Sequence, residues 1–598
     1  MREGDDWPNL VTMFLDQAEA KGNAPFLGWK EDGVWQTMSW ADAARRVAQI
    51  SEGLIAMGVR PGDRVVLVSE NRPEWCLTDL GIMAAGAITV PTYTTNTERD
   101  HLHILEDSHA RAAIVSTHKL AKTLLPAAYQ SDACEYVVGM EPFKVGQTSG
   151  ATFLKWAECI DDRPGDVAAV RRRMADVGRA DLACIIYTSG TGGAPRGVRQ
   201  HHGAILCSTR GAFNILNEDF GLSDDRFLSF LPLSHAYEHT GGQFLPIYCG
   251  AEIYYSQGID KLAANIEETR PTVMVVVPRL FEVLRTRIIA GINKQGGAAV
   301  WMLDQALRLG AIRERKGKIP LWERPLDALL ERTIRKKVRG RLGGRLKAMV
   351  AGGAPLNPDV GLFFEALGVT ILQGYGQTEA APVVSCNRPS RGLKMHSVGP
   401  PLDGVEVKIA DDGEILVRGE LVMHGYWNNP EATAKVLQDG WLHTGDIGHI
   451  DADGHVVITD RKKDIIVLDK GDNVAPARVE GMLTLQPEIF QAMVAGDKRP
   501  YLVGLVVPDP EWAAEWAKAN GHSGADAAAL RALPDFTRAV MAAVDRVNAT
   551  LSVTEKVRRV ILADEAFTVE NEMMTPKQSI RRHVIKAAYA DRLDALYK

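Results

Sequence analysis

Short apolar runs separated by helical stretches set the rhythm of the first two thirds of the chain. Arg64-Val65-Val66-Leu67-Val68, Ala87-Ile88-Thr89-Val90-Pro91 and Ala112-Ala113-Ile114-Val115 read as buried strands, and 74–85 is patterned as a helix between the first two. The same alternation returns at 227–231, 251–255, 272–277, 346–350 and 369–373. Continuously apolar strands exchanging with helices predict an α/β fold: a mostly parallel sheet covered by helices on both faces. Ahead of this, 9–54 reads as a helix, a hairpin-like stretch (25–37) and a second helix opening at Ser39. After Pro400 the texture changes. Short strands at 405–409, 414–418 and 455–459, separated by Asp-Gly and Asn-Asn-Pro turns, predict a small β-rich subdomain over 400–459. Beyond the polar break Asp460-Arg461-Lys462-Lys463-Asp464, strands at 491–496 and 501–507 exchange with Ala-rich helices, predicting a small α+β C-terminal unit.

Composition narrows the class without naming it. The 598 residues suffice for three or four compact units, and 46% hydrophobic with 24% charged content is that of an ordinary globular protein. A net charge of −6 argues against nucleic acid as the main partner. Seven scattered cysteines with no CxxC argue against zinc ribbons and thioredoxin chemistry, and an odd count suits a reducing cytoplasm. The acidic start Met1-Arg2-Glu3-Gly4-Asp5-Asp6 is unlike a signal peptide, and no apolar run reaches the roughly 18–20 residues of a membrane span. The expected location is cytoplasmic, with any membrane contact peripheral and on the inner face. Charge is uneven, however: 308–347 carries fourteen Lys/Arg against four Asp/Glu. That stretch is either a solvated helix face or a landing patch for an anionic membrane or a thioester carrier's phosphates. Arg335 and Lys336 are the cations whose reversal tests docking.

Four stretches carry candidate chemistry. Tyr187-Thr188-Ser189-Gly190-Thr191-Gly192-Gly193-Ala194-Pro195-Arg196-Gly197 follows the apolar strand 182–186. Its glycines let backbone N–H groups converge on a phosphate, and Thr188, Ser189 and Thr191 add donors; the alternative is a flexible turn. It lacks the Gly-Lys-Ser/Thr of a Walker loop and the spacing of a dinucleotide fingerprint. Ala351-Gly352-Gly353-Ala354-Pro355 lets backbone approach a planar ligand, or is only a tight turn. Gln373-Gly374-Tyr375-Gly376-Gln377-Thr378-Glu379 supplies an aromatic for stacking, a hydroxyl for phosphate and a carboxylate for magnesium. His235, Glu238 and His239 spell HxxEH, but a zinc site needs a third ligand that nothing in the sequence marks.

The glycine-rich loop resembles the signature loop of the adenylate-forming (AMP-binding) enzymes, usually Tyr-Thr-Ser-Gly-Thr-Thr-Gly-x-Pro-Lys-Gly. Gly192 stands in place of a Thr and Arg196 in place of the Lys. The Gly-Tyr-Gly-x-Thr-Glu match at 374–379 extends the resemblance over essentially the whole chain. It implies a domain of residues 1–459, a hinge at 460–464 and a mobile C-terminal domain at 465–598. It implies that Thr188, Ser189, Gly190, Thr191, Gly192, Gly193 and Arg196 bind ATP, together with Gly352, Gly353, Ala354, Pro355, Gln373, Gly374 and Gly376. Tyr375 would stack on adenine, Thr378 contact the α-phosphate, Glu379 and Thr191 hold Mg²⁺, and Asp446 accept the ribose hydroxyls beside Arg461. Leu231-Pro232-Leu233-Ser234-His235 resembles the long-chain fatty acyl-CoA synthetases, as do the helical insert at 280–345 and Gly343-Gly344-Arg345-Leu346. In that subfamily His235 lies near the carboxylate and pyrophosphate, and 240–243 line the acyl tunnel. The implied activity converts a fatty acid through acyl-AMP to acyl-CoA, with CoA as co-substrate; a homodimer stays open. One departure is chemical. The family reads Leu-Thr-Pro-Thr-Leu-Lys-x-Lys-Arg where this chain has Met574-Thr575-Pro576-Lys577-Gln578-Ser579-Ile580-Arg581-Arg582. Ser579 takes the place of the catalytic Lys, a loss on the order of 10²–10³ in rate by analogy with a deleted oxyanion donor. Lys577 lies two residues, about 7 Å of extended chain, away and is the candidate substitute. The alternatives are a weakened acyl-adenylate-binding relative and an acyl-AMP ligase that loads a carrier protein.

Overall fold

The computed structural model describes residues 6–143, 150–188, 195–568, 570–574 and 580–598. The chain divides into two compact units. One comprises Met1–Lys408, Leu416–Thr444 and Ile450–Val457; the other comprises Ile409–Ile415, Gly445–His449 and Ile458–Lys598.

The first unit holds two large sheets. In the eight-stranded sheet the order is Val383–Cys386, Ile371–Gly376, Ala348–Ala351, Val273–Val276, Arg226–Ser229, Glu252–Tyr255, Pro25–Glu31 and Val34–Ser39. The order in the seven-stranded sheet is Thr152–Lys155, Tyr136–Gly139, Ala110–Val115, Arg64–Val68, Ile88–Thr92, Leu182–Thr188 and Arg196–His201. Inner neighbours run parallel, and antiparallel pairing is confined to edge strands. This is the α/β class that the apolar runs predict, with strand ends displaced by up to three residues. Helix Pro73–Ala84 is buried everywhere but at Glu74, and its core cluster includes Phe14, Phe26, Trp40, Trp75 and Phe244. Phe26 and Trp40 stack with centroids 3.8 Å apart. Ser39 caps the helix Trp40–Ala56 by accepting from the Asp42 N–H.

The basic insert is helical, through Pro278–Asn293, Gly297–Lys316, Arg324–Leu330 and Lys336–Arg341. Its cations are not all on the surface. Arg335 is 2% exposed; its Nε donates to the Ala366 carbonyl (2.8 Å) and its Nη1 to Asp327 Oδ1 (2.7 Å). The expectation that Arg335 belongs to a landing patch is therefore corrected: it pins the insert from inside.

The second unit is α+β. Its sheet pairs Ile489–Ala495 antiparallel with Leu502–Pro508, which pairs parallel with Val557–Leu562. Alternate residues feed two cores: Val494, Leu502 and Val506 pack with Phe536 and Val544, whereas Met493, Val503 and Leu505 pack with Phe567, Ile585 and Leu593. The strands Glu406–Ile409, Glu414–Arg418, Leu437–Gln438, Trp441–Ile450 and Val456–Arg461 make up a five-stranded sheet.

Candidate active site

The strands on either side of the glycine-rich stretch pair antiparallel. Thr188 pairs with Arg196 and Tyr187 with Gly197 across antiparallel strands, and the Tyr187 hydroxyl donates to Asp107 Oδ2 at 2.5 Å. Ser189, Gly190, Thr191, Gly192 and Gly193, the expected phosphate cradle, lie outside the described residues. Arg196 lies over the Tyr426 ring, 4.7 Å from its centroid. A planar guanidinium is the better partner for such a face, which gives Arg a use at the position where the family has Lys. The Tyr426 hydroxyl in turn donates to Glu379 Oε1 at 2.9 Å. Burial and the Glu379 carboxylate raise the Tyr426 pKa, so the phenol remains a donor through neutral pH. Arg196, Tyr426 and Glu379 thus form one contiguous relay.

Backbone geometry fixes where Glu379 stands. Strand Ile371–Gly376 turns back into Val383–Cys386 within a few residues, with an irregular register between Tyr375 and Gly376. A Cβ on Gly376 would stand 1.7 Å from the Pro382 carbonyl oxygen, so only glycine fits there. Ala381 takes the left-handed region (φ 52°), and the Met423 N–H donates to the Glu379 carbonyl. Thr378 is buried and its carbonyl accepts from Gln200 Nε2 at 2.7 Å, tying this turn to the strand that starts at Arg196. Tyr375 is 8% exposed, and Gln373 donates to the Ser397 carbonyl. At 352–355, a Cβ on Gly352 would come within 2.9 Å of the Tyr237 ring, and Gly353 has φ 80°. Tyr237 donates to the Val350 carbonyl at 2.9 Å, and Thr240 Oγ1 donates to the Ala381 carbonyl at 3.3 Å. The structure therefore gathers Arg196, the 350–353 turn, the 375–381 turn and the 235–241 segment in the first unit. Ala354 and Pro355 follow in the same loop, before the helix Pro358–Ala366.

The HxxEH motif has other partners. His235 Nδ1 accepts from the Tyr237 N–H and begins the helix. His239 is fully buried, with Nε2 2.8 Å from Asp79 Oδ2, to which Gln243 also donates (2.7 Å). Glu238, 1% exposed, accepts from Ser229 Oγ at 2.6 Å. Burial raises its pKa to about 8, so it is mostly protonated at neutral pH. Among the described residues no group of three His, Cys, Asp or Glu side chains could hold a metal ion.

In the second unit, Asp446 is 6% exposed and its Oδ1 lies 3.2 Å from Arg461 Nε. Lys462 reaches Glu414 Oε2 (3.2 Å), and Glu414 Oε1 accepts from the Gly445 N–H (2.8 Å). Burial raises the Asp460 carboxyl to about 6. Lys577 and Ser579 lie outside the described residues. On either side of them, Met574 and Ile580 form an isolated antiparallel bridge, and Arg582 Nη1 donates to the buried Glu480 at 2.7 Å. Tyr426 and Gln200 escaped the sequence reading. Tyr426 had only its position in Gly425-Tyr426-Trp427, before the Asn-Asn-Pro turn, to mark it.

A parallel-rich α/β unit with glycine turns at strand ends, followed by a small α+β unit, is the architecture of adenylate-forming enzymes. The chain belongs to the AMP-binding enzyme family. The family model matches residues 14–427, and that of the AMP-binding enzyme C-terminal domain matches 463–598. Within the family it groups with the long-chain-fatty-acid–CoA ligases. It is 34% identical to FadD15 of Mycobacterium tuberculosis over 95% of this chain and 93% of that one. It is 30% identical to human long-chain-fatty-acid–CoA ligase 1, over 99% and 87%. In fold it is similar to the adenylation domain of a carboxylate reductase from Mycobacterium chelonae (TM-score 0.74, 22% identity, 100% and 92% covered). It is also similar to a Mycobacterium tuberculosis fatty acyl CoA synthetase (TM-score 0.63, 21% identity, 98% and 99% covered). No helix among the described residues is long and apolar enough to cross a membrane.

Proposed function

We propose that this chain activates a long-chain fatty acid with ATP and passes the acyl group to CoA. A carboxylate oxygen of the acid attacks the α-phosphorus, the bond to the bridging α–β oxygen breaks, and pyrophosphate leaves. The CoA sulfur then bonds to the acyl carbon of the mixed anhydride. The acyl–oxygen bond to phosphate breaks, AMP departs and the thiol proton passes to water. The observation that carries the reading is the relay of Arg196, Tyr426 and Glu379, joined through Gln200 to the Thr378 turn.

Catalysis of this kind is positioning and charge neutralisation, so fixed groups count for more than a nucleophile. In the proposal Tyr375 stacks on adenine, Thr378 meets the α-phosphate, and Gly352 and Gly353 let backbone close on the base. His235 lies toward the carboxylate and pyrophosphate. Asp446 takes the ribose hydroxyls, with Arg461 holding one of its oxygens. Magnesium bound with the nucleotide would neutralise phosphate charge, drawing most of its ligands from phosphate and water. A single protein carboxylate, that of Glu379, therefore fits it, with Thr191 as second contact. The segment 460–464 serves as hinge, and the raised Asp460 pKa marks a carboxyl whose surroundings are not those of open solvent. A long-chain acid dissolves mainly in lipid, which makes peripheral contact with the inner membrane face part of the proposal.

Acid-dependent exchange of labelled pyrophosphate into ATP tests the first step, and mass spectrometry of the CoA product tests the second. Exchange without acyl-CoA favours a carrier-protein acceptor; absence of both refutes the reading. Ser579 motivates a second reading, a relative that binds the adenylate but turns over slowly. Exchange that appears only in Ser579→Lys supports it, whereas full activity lost in Lys577→Ala assigns the cation to Lys577.

A further inference from the structure

The helical insert presents an apolar tip next to a basic ridge, and nothing in the adenylation chemistry uses either. Among the described residues eleven large hydrophobic side chains are strongly exposed, and four of them fall between 301 and 329. They are Trp322 at 80%, Leu321 at 69%, Trp301 at 50% and Leu329 at 49%. Two exposed tryptophans in one hairpin demand a partner more than scattered valines do.

The tip is held in place. Arg308 grips Glu323 through two bonds (2.7 and 2.9 Å), Arg313 reaches Asp327 at 3.1 Å, and buried Arg335 takes the other Asp327 oxygen. Two acids of the hairpin, Glu323 and Asp327, are thus engaged in internal pairs. The exposed charges around the tip are mainly cationic: Arg315, Lys318 and Arg324, against Glu314. Arg332, Lys336, Lys337 and Arg341 line a shallow cavity of about 630 Å³ in which Glu267 is the one acid. Trp322, Pro325, Leu329, Arg332 and Lys336 recur at intervals of three and four along a nearly continuous helical run. One side of that run is therefore apolar at its start and basic further on.

We infer that this surface docks on an anionic lipid bilayer, with Leu321 and Trp322 entering the headgroup boundary and the Arg332–Arg341 ridge resting on lipid phosphates. Indole rings favour the headgroup level, aliphatic tips insert, and Lys and Arg read negative surface potential. An acidic protein would match the ridge, but it gives no reason for a leucine and a tryptophan at a rigid tip. The inference rests on the fatty-acid reading for its purpose only. Docking there would place the enzyme on the phase that holds its acid.

The test is cosedimentation of the full chain, without ATP, with vesicles of phosphatidylcholine alone or mixed with phosphatidylglycerol. Binding is expected to the mixed vesicles and to fall about tenfold in Leu321→Ser/Trp322→Ser and in Lys336→Glu/Lys337→Glu. Raised salt should abolish the ridge's share and leave the tip's, so the tip variant should be the more salt-sensitive. Val34→Ser, another exposed apolar position, should bind as the parent does. Unchanged melting temperatures show that the variants fold. No binding to anionic vesicles, or equal binding by parent and tip variant, overturns the inference; so does capture by a polyanionic protein with no vesicle binding. Acyl-CoA formation from a water-soluble acid, measured without vesicles, is expected to be unchanged in both variants and reports on the ligase reading separately.

Discussion

Replacing Tyr426 by Phe removes one oxygen and leaves the ring on which Arg196 rests. The lost bond, 2.9 Å from phenol to Glu379 Oε1, has an ionised acceptor, and bonds of that kind contribute about 1.5–3 kcal/mol. Glu379 is only half-buried, so water can take the vacated place and the lower figure applies. Partners that orient a metal-binding side chain typically change metal affinity by about 10–100-fold when removed, and 1.5 kcal/mol corresponds to roughly tenfold. The free Mg²⁺ giving half-maximal pyrophosphate exchange should therefore rise about tenfold in Tyr426→Phe, with ATP and acid saturating. Thermal stability should change little, since the ring and its cation contact remain. Arg196→Lys keeps the charge but loses the planar stack, worth about 0.5–2 kcal/mol, and should shift the same curve less. If Tyr426→Phe leaves the Mg²⁺ dependence where it was while lowering the maximal rate, Tyr426 does not act through Glu379. An equal loss of activity and melting temperature would instead make it a packing residue.

Other positions separate structural from chemical roles. Glu238, with its pKa raised to about 8, keeps a proton between pH 5 and 8 that the unfolded chain has released, so stability should fall as pH rises across that window. Glu238→Gln, which still accepts from Ser229, should remove this slope of at most about 1.4 kcal/mol per pH unit; parallel denaturation curves for the two proteins would refute it. Gly376→Ala should destabilise strongly and abolish exchange, because its Cβ meets the Pro382 carbonyl, whereas Gly374→Ala, with 3.4 Å to its nearest neighbour, should be mild; equal melting temperatures would refute the contrast. Arg335→Met breaks a buried ion pair and should cost about 3–5 kcal/mol in urea unfolding while vesicle binding per folded molecule stays unchanged.

The fold was legible where apolar runs were continuous. Strands such as Arg64–Val68 and Val273–Val276, buried on both faces, announce themselves without alternation. Apart from the hairpin at 25–37, edge strands did not. Thr152–Lys155 and Arg196–His201 carry polar side chains, and their pairing depends on a neighbour already in place. The second unit takes in Ile409–Ile415 and Gly445–His449, short segments within the stretch that the turn-rich texture after Pro400 marks as a β-rich subdomain.

The candidate site divides along the same physical line. Glycines and acids in the turns at 352 and 379 declare themselves, since few residue types satisfy close backbone approach or offer a carboxylate. The residues that hold those groups do not. Tyr426 is far from Glu379 in the chain, and His239 meets Asp79 across 160 positions, so each looks like any other aromatic or polar residue until the chain folds. Arg196 shows why this matters. Read alone, it is a conservative exchange for lysine. Placed over Tyr426, it becomes part of what holds Glu379, and the substitution and the tyrosine explain each other. A Lys at 196 would rest less well on that ring, so the signature loop and the Gly-Tyr-Trp turn are coupled in this chain. A double-mutant cycle of Arg196→Lys and Tyr426→Leu should return an interaction of about 0.5–2 kcal/mol in the exchange reaction, and a value of zero would separate them again.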